Sequence, residues 1–284
     1  MSRFAALFLL GAVVFAGLPA RAETALAGAV EQGSLVVVRT EPGAKVALDG
    51  ENLPASSDGV FAIGFDRDHG PTSKLVVTLP DGRVETKTLA VAPRAWHIQR
   101  IEKIAPALVN PPPEALARIR REVAMKAAAR PNDTPQEWFA GRFIWPAKGV
   151  ISGVFGSQRF YNGEPKNPHY GVDVAAPVGA AIVAPAAGIV RLAEPDMYFE
   201  GGLVFIDHGQ GVISIMMHMS RIDVKAGQRV AQGHPIGAVG QTGRATGPHL
   251  HWAMVWREAH IDPSLLVPGV SAAGAVSGAA VGGD

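Results

Sequence analysis

Glycine and proline recur so often in this chain that they leave room mainly for short strands. The 284 residues include 33 glycines and 22 prolines, while only 7% are aromatic. Because both residues favour turns and interrupt helices, their frequency indicates many strands joined by tight turns. With 48% hydrophobic residues, the chain can bury one sizeable domain and a smaller one. We therefore predict a mainly β fold with antiparallel sheets.

The first 22 residues have the pattern of a secretory signal. Arg3 precedes an apolar run over residues 4–18, and Ala20, Arg21 and Ala22 fit the small-x-small cleavage pattern. The apolar run is short for a membrane span, so we expect cleavage and no stable membrane insertion afterwards. Residues 1–22 are thus predicted to be a signal peptide, and the mature protein is predicted to be periplasmic or secreted.

Charge and cysteine content narrow the possible chemistry. The 26 Lys and Arg residues are balanced by 25 Asp and Glu residues, so nothing indicates a nucleic-acid partner. Cysteine is absent. Any metal must therefore be held by histidine and carboxylate side chains, without thiolates.

Turn signals and periodicity divide the remaining chain into four segments. Residues 23–105 alternate β-branched runs with Pro-Gly and Asp-Gly turns, which predicts a small N-terminal β-sandwich of the Ig-like kind. Residues 106–135 form a linker, and an amphipathic helix docked on a neighbouring domain is predicted from the spacing of Leu116, Ile119, Val123 and Ala127. Residues 136–267 form the larger β domain. The Gly- and Ala-rich residues 268–284 are predicted to be a disordered tail.

Two short motifs bring together residues that bind metals. In a strand, His249 and His251 point to one face while Leu250 points to the core. His169 and Asp173 are four residues apart, so an extended chain also places them on one side. Imidazoles with one carboxylate bind Zn²⁺ while leaving a position open for water. For an isolated H-x-H pattern, two ordinary half-buried histidines are an equal alternative, but the second pair favours the metal.

Between about residues 143 and 266 the sequence resembles the M23 zinc peptidases of the lysostaphin and LytM type. The resemblance is carried by several motifs in one order: residues 153–156, 169–173, 184–188 and 206–209, His218, and residues 243–252. It implies an antiparallel β-sheet peptidase domain with a narrow groove above the metal. Residues 160–168 and 197–202 are expected to form its walls.

The family motif also implies a role for each site residue. By position, His169, Asp173 and His251 correspond to the ligands of one Zn²⁺ per chain. His218 and His249 correspond to the metal-free pair that activates water and stabilises the oxyanion. His208, at a strand-end turn, is expected to be structural.

The resemblance implies a zinc-dependent endopeptidase that hydrolyses peptide cross-links in peptidoglycan, with D,D-endopeptidase action expected. Peptidoglycan stem peptides would then be the substrate, and an envelope regulator is a further possible partner of unknown identity. One alternative is a non-catalytic LytM-like activator of a cell-wall amidase, and another is a peptidase acting on Gly-rich proteins. The presence of all five site positions argues against the activator. The sequence leaves open whether the N-terminal module inhibits or targets the enzyme.

Overall fold

The computed structural model describes residues 23–101, 110–131 and 134–267. Most regular structure in these residues is antiparallel β-sheet, as the turn-rich sequence predicts. The predicted signal peptide and the predicted disordered tail lie outside the described residues. Among those described, no helix has both the length and the apolar character needed to cross a membrane.

The N-terminal region contains seven strands in two antiparallel sheets. One sheet has the order β1-β2-β5 and the other has the order β4-β3-β6-β7. The strands are β1 (Ala25–Ala27), β2 (Leu35–Arg39), β3 (Lys45–Leu48), β4 (Glu51–Leu53), β5 (Val60–Gly64), β6 (Thr72–Thr78) and β7 (Val84–Ala90). Asp49 and Gly50, with φ of 50° and 89°, form the tight turn between β3 and β4. Buried residues from both sheets belong to one hydrophobic core.

After β7, the described residues contain one further strand of the N-terminal region and one helix in the linker. Strand β8 (Ile98–Ile101) comes before the undescribed residues 102–109, and a 3₁₀ turn (Pro113–Ala115) leads into helix α1 (Leu116–Ala128). The helix docks through its charged face, because the carboxylate of Glu122 accepts a hydrogen bond from the backbone N–H of Tyr198 (2.9 Å) and Lys126 pairs with Glu200. Val123, on the apolar stripe, is 55% exposed.

The apolar stripe is therefore not the docking face of the helix. Leu116 and Val123 of the stripe are exposed, whereas the charged face satisfies polar groups of the adjacent strand connection. Arg118 adds to this contact by donating to the backbone carbonyl oxygen of Asp196 (2.6 Å).

The C-terminal region is built on a ten-stranded sheet. Its main path runs β17-β14-β15-β16-β19-β12-β9; β13 and β18 pair with each other, β18 also pairs with β16, and β20 pairs with β19. The strands from here on are β9 (Val150–Gly153), β10 (Gln158–Tyr161), β11 (Glu164–Pro165), β12 (Gly171–Ala175), β13 (Ala181–Val183), β14 (Gly188–Met197), β15 (Gly201–Asp207), β16 (Val212–Ile222), β17 (Arg229–Val230), β18 (Pro235–Val239), β19 (His249–Trp256) and β20 (Ala259–Ile261). Two 3₁₀ helices, Trp138–Ala140 and Pro263–Leu266, lie before β9 and after β20.

The N-terminal sheets pack directly against the large sheet. One hydrophobic core includes buried residues from both regions. The side-chain amide of Gln210 donates to the carbonyl oxygen of Val60 (3.0 Å) and accepts from the N–H of Ala62 (3.2 Å). Arg94 forms an ion pair with the buried Asp262 (2.8 Å). In addition, β8 pairs with β10, so the order β11-β10-β8 forms a third small sheet.

Candidate active site

The pairing of β12 with β19 brings the first site residues together. Asp173 lies directly opposite His251 in the antiparallel register, and Ala175 lies opposite His249. Leu250 is fully buried behind the strand, so the two histidines share the opposite face. The period-two argument from the sequence thus describes β19 correctly.

His169 reaches the same place from the loop before β12. Its backbone N–H donates to the carbonyl oxygen of Ser157, and its carbonyl oxygen accepts from the N–H of Gly156, both at 2.8 Å. These two bonds fix the loop against the turn that follows β9. His169 is therefore positioned by a long-range backbone contact, and β12 itself begins only at Gly171.

Three atoms that can act as metal ligands converge at this point. Nε2 of His169 lies 2.9 Å from Oδ1 of Asp173 and 3.0 Å from Nδ1 of His251, and that Nδ1 lies 2.8 Å from the same Oδ1. All three residues are buried.

The chemistry of these atoms fits a metal ion. Nδ1 of His169 lies 3.0 Å from the carbonyl oxygen of Val154, which can only accept, so Nδ1 carries the proton and Nε2 presents a lone pair. When the imidazoles are neutral, Nε2 of His169 and Oδ1 of Asp173 carry no proton. A single proton on Nδ1 of His251 is then the most that could form hydrogen bonds among these three close atoms. A divalent cation satisfies all three atoms at once, and two nitrogens with one carboxylate oxygen are a ligand set typical of zinc.

The protonation states of these residues agree with that ligand set. Burial would raise the pKa of the Asp173 carboxyl, but its contacts with His169 and His251 hold that pKa well below its usual range. Burial lowers the pKa of His169 and lowers the pKa of His251 to about 4. The carboxylate is therefore ionised and both imidazoles are neutral near pH 7, as metal binding requires.

His218 enters the site through a β-bulge. The β15–β16 register shifts between the pairs Gly202↔Met219 and Val204↔Met216, leaving an extra residue in β16. His218 has a φ of 64°, and its N–H donates to the carbonyl oxygen of Glu200 (2.8 Å). A left-handed conformation of a non-glycine residue costs about 1–3 kcal/mol. The bulge directs the imidazole of His218 toward the other histidines.

His218 and His249 form a second pair beside the three converging atoms. Their ring centroids are 4.8 Å apart, and the centroid of His218 lies 6.2 Å from that of His251. Nδ1 of His218 donates to the carbonyl oxygen of Thr242 and Nδ1 of His249 donates to that of Gly247, both at 2.8 Å. In each neutral ring, Nε2 is thus the atom that can accept a proton.

Burial, together with the neighbouring His251 and His249, lowers the pKa of His218 to about 3. The ring is consequently neutral near pH 7. A neutral imidazole can take a proton from an attacking water, and an imidazolium can donate to an oxyanion.

The site lies in a cleft of about 610 Å³. The two segments predicted to form its walls, residues 160–168 and 197–202, both contribute lining residues. Other residues, for which no role in the cleft was predicted, line it as well. The additional lining residues include Arg159, Met217 and Arg244. The guanidinium of Arg244 lies 5.2 Å from the ring centroid of Tyr161 and 4.7 Å from that of Phe199. Arg244 therefore contacts both walls of the cleft. No local pattern distinguishes these residues, because their roles depend on loops that meet only in the folded chain.

His208 is structural, as expected. It is fully buried, its Nδ1 donates to the carbonyl oxygen of Ala187 (2.7 Å), and its Nε2 accepts from the hydroxyl of Ser214 (2.8 Å). His260 stacks on Tyr170 with a separation of 3.8 Å between ring centroids, and its Nδ1 lies 3.0 Å from Oδ2 of Asp66.

An antiparallel sheet with a buried His-Asp-His set and two further histidines beside it has the features of a metal-dependent hydrolase. A family model for "Peptidase family M23" matches residues 167–263. A crystal structure of a Pseudomonas aeruginosa protein assigned to peptidase M23 is 32% identical, covers 85% of this chain and 96% of that chain, and has a TM-score of 0.66. The protein belongs to the M23 peptidase family.

Two curated relatives are similar over shorter segments. The Peptidoglycan DD-endopeptidase ShyA of Vibrio cholerae is 41% identical over 90 residues, which are 32% of this chain and 21% of that protein. The Cell division protein DipM of Caulobacter vibrioides is 30% identical over 169 residues, which are 56% of this chain and 26% of that protein. The matched segments thus span about a fifth to a quarter of these relatives.

Proposed function

We propose that this protein is a zinc-dependent endopeptidase that hydrolyses peptide cross-links in peptidoglycan. The observation that carries the proposal is that two groups of side chains lie next to each other at one cleft, which is lined by His169, His218 and His251. Three of them, His169, Asp173 and His251, offer a metal ligand set, while His218 and His249 offer a pair of imidazoles beside it. A peptide hydrolase needs both groups within reach of one bond.

One Zn²⁺ would be held by Nε2 of His169, Oδ1 of Asp173 and Nδ1 of His251. Three protein ligands leave a coordination position for water or substrate. When bound, the ion supplies a Lewis acid that polarises a carbonyl group and lowers the pKa of water to about 7.

The histidine pair would perform the proton transfers. Nε2 of a neutral imidazole removes a proton from the attacking water, and the resulting imidazolium donates hydrogen bonds to the oxyanion and then a proton to the leaving amine. His218 and His249 are suited to these steps because carbonyl oxygens fix their Nδ1 protons and leave Nε2 as the acceptor. We assign water activation and oxyanion stabilisation to the pair together.

The cleft would select the substrate. Its walls carry the cations Lys166 and Arg244. Peptidoglycan stem peptides carry carboxylates, to which guanidinium and ammonium groups bind. The similarity to a protein named as a peptidoglycan DD-endopeptidase supports the D-Ala-to-diaminopimelate cross-link as the bond. This substrate lies outside the cytoplasm, which agrees with the export predicted from residues 1–22.

A second candidate function is activation of a cell-wall amidase without catalysis. It is favoured by the match to a protein named for cell division, which covers 56% of this chain. The five site residues favour hydrolysis, because an activator needs neither a metal site nor a base.

Mass spectrometry of purified cell-wall fragments tests the two functions. After incubation with the wild-type protein, cross-linked dimers should become monomers, and the His251→Ala variant should leave the dimers intact. Sugar-free stem peptides would instead indicate amidase chemistry. No change in any fragment with the zinc-loaded wild-type protein would contradict the endopeptidase and favour the activator.

A further inference from the structure

A strand of the N-terminal region, β8, supports one wall of the cleft by pairing with β10, which carries the lining residues Arg159 and Tyr161. β8 runs parallel to β10, with Gln99 opposite Arg159. The N–H of Gln158 donates to the carbonyl oxygen of His97 (2.7 Å). Just before β8, the ring of Trp96 packs so closely on Gly156 that a Cβ there would lie 2.0 Å from a ring carbon. The strand is therefore attached firmly to the loop that carries the site.

Arg159 connects this strand to the carboxylate of the metal site. Its Nε donates to Oε1 of Gln99 (3.1 Å), and its Nη2 donates to Oδ2 of Asp173 (2.8 Å). The side chains of Arg159 and Asp173 are only 15% and 11% exposed, so solvent screens this ion pair weakly. The other carboxylate oxygen, Oδ1, faces His169 and His251.

We propose that Arg159 is a positioning residue for the metal-binding carboxylate of Asp173, and that Gln99 holds Arg159 in place. With Oδ2 engaged by the guanidinium, the carboxylate keeps Oδ1 turned toward the two imidazoles as a single ligand atom. A residue of the N-terminal region thereby completes the zinc site. The inference rests on the ligand set of the proposed function but concerns metal binding, so it is tested without substrate.

The charge of Arg159 and its positioning of Asp173 predict opposite changes in zinc affinity when Arg159 is replaced. A guanidinium near a cation site repels the cation, so charge alone predicts tighter zinc binding after its removal. Loss of positioning predicts weaker binding, and outer-shell partners of metal ligands typically contribute about 10–100-fold in affinity. The sign of the change therefore separates the two effects.

The experiment measures zinc affinity of the full mature chain by competition with a chromophoric chelator. Arg159→Gln should bind zinc about 10–100-fold more weakly. Arg159→Lys should recover part of the loss, since an ammonium can reach Asp173 but cannot bond Asp173 and Gln99 together in the same way. The visible absorption spectrum of cobalt-loaded protein should change with Arg159→Gln, because the carboxylate changes its orientation.

A double-mutant cycle tests whether Gln99 acts on zinc binding through Arg159. Gln99→Ala should weaken zinc binding in the wild-type background and have no further effect in the Arg159→Gln background. Arg100→Gln is the matched control, since Arg100 lies next to Gln99 on β8 but its guanidinium stacks over Phe160, 4.6 Å from the ring centroid. This control should retain wild-type zinc affinity. Gln99→Ala also provides a milder test should Arg159→Gln fail to fold.

Unchanged or tighter zinc binding by folded Arg159→Gln would overturn the positioning role. An equal loss from Gln99→Ala in both backgrounds would overturn the role of Gln99. A wild-type protein that binds zinc tightly but leaves peptidoglycan intact would instead contradict the proposed function and leave this inference standing.

Discussion

Acid sensitivity of the fold should depend measurably on His208. Burial lowers the pKa of this histidine from 6.5 to about 4, although a hydrogen bond to Ala187 and the charge of Asp207 oppose the shift. In the unfolded chain the imidazole takes up a proton below about pH 6.5, whereas in the folded chain it does so only near pH 4. Its contribution to folding stability is therefore complete above pH 6.5 and is lost progressively as the pH falls to 4.

The size of the stability change follows from the difference between the pKa values of His208 in the unfolded and folded chains. A difference of about 2.5 pKa units corresponds to about 3 kcal/mol, of which about 2 kcal/mol is lost between pH 7 and pH 5. His208→Gln removes the titrating group while keeping a donor and an acceptor for Ala187 and Ser214. The variant should be less stable at pH 7, because its hydrogen bonds fit less well, but its stability should fall less steeply with acid.

Urea unfolding at pH 7 and pH 5, in the presence of a chelator, measures the free energy of unfolding at pH 7 and its loss on acidification. The chelator prevents pH-dependent metal release from contributing, and titration of the other buried histidines is common to both proteins. The wild type should lose about 2 kcal/mol more than His208→Gln between the two pH values. His234→Gln, at an exposed position, controls for the change of residue type. Equal losses in the wild type and His208→Gln would refute the reasoning.

The remaining predictions concern the site. Asp173→Ala and His251→Ala should each lose bound zinc, because each removes one of three converging donors, and full zinc occupancy by elemental analysis would contradict the ligand assignment. His218→Ala and His249→Ala should keep zinc while turnover on a cleavable cross-linked peptide falls about 10²–10⁴-fold; wild-type rates in both would refute their roles. His218→Gly should be equally inactive but melt no lower than His218→Ala, because glycine adopts a φ of 64° without strain. A lower melting temperature for the glycine variant would argue against a strained bulge.

Local sequence determined the features that depend on short-range geometry. Alternation along a strand is fixed by the backbone, so the sequence alone predicts that His249 and His251 share a face opposite Leu250. The frequent Gly and Pro residues predict short strands, and Asp49-Gly50 predicts a tight turn that the structure contains. The spacing of His169 and Asp173 indicated a second pair of metal-binding residues, and the family resemblance added His218 to the same site.

Tertiary structure alone decided how these residues meet. Asp173 faces His251 because of the register between β12 and β19, and residues 78 positions apart share no local pattern. His218 depends on a bulge that exists only when β16 pairs with β15. Helix α1 docks through its charged face because the fold places backbone donors and carboxylates there. Gln99 reaches Arg159 across 60 positions only because β8 pairs with β10, and pairings between distant segments are set by the packing of the whole chain.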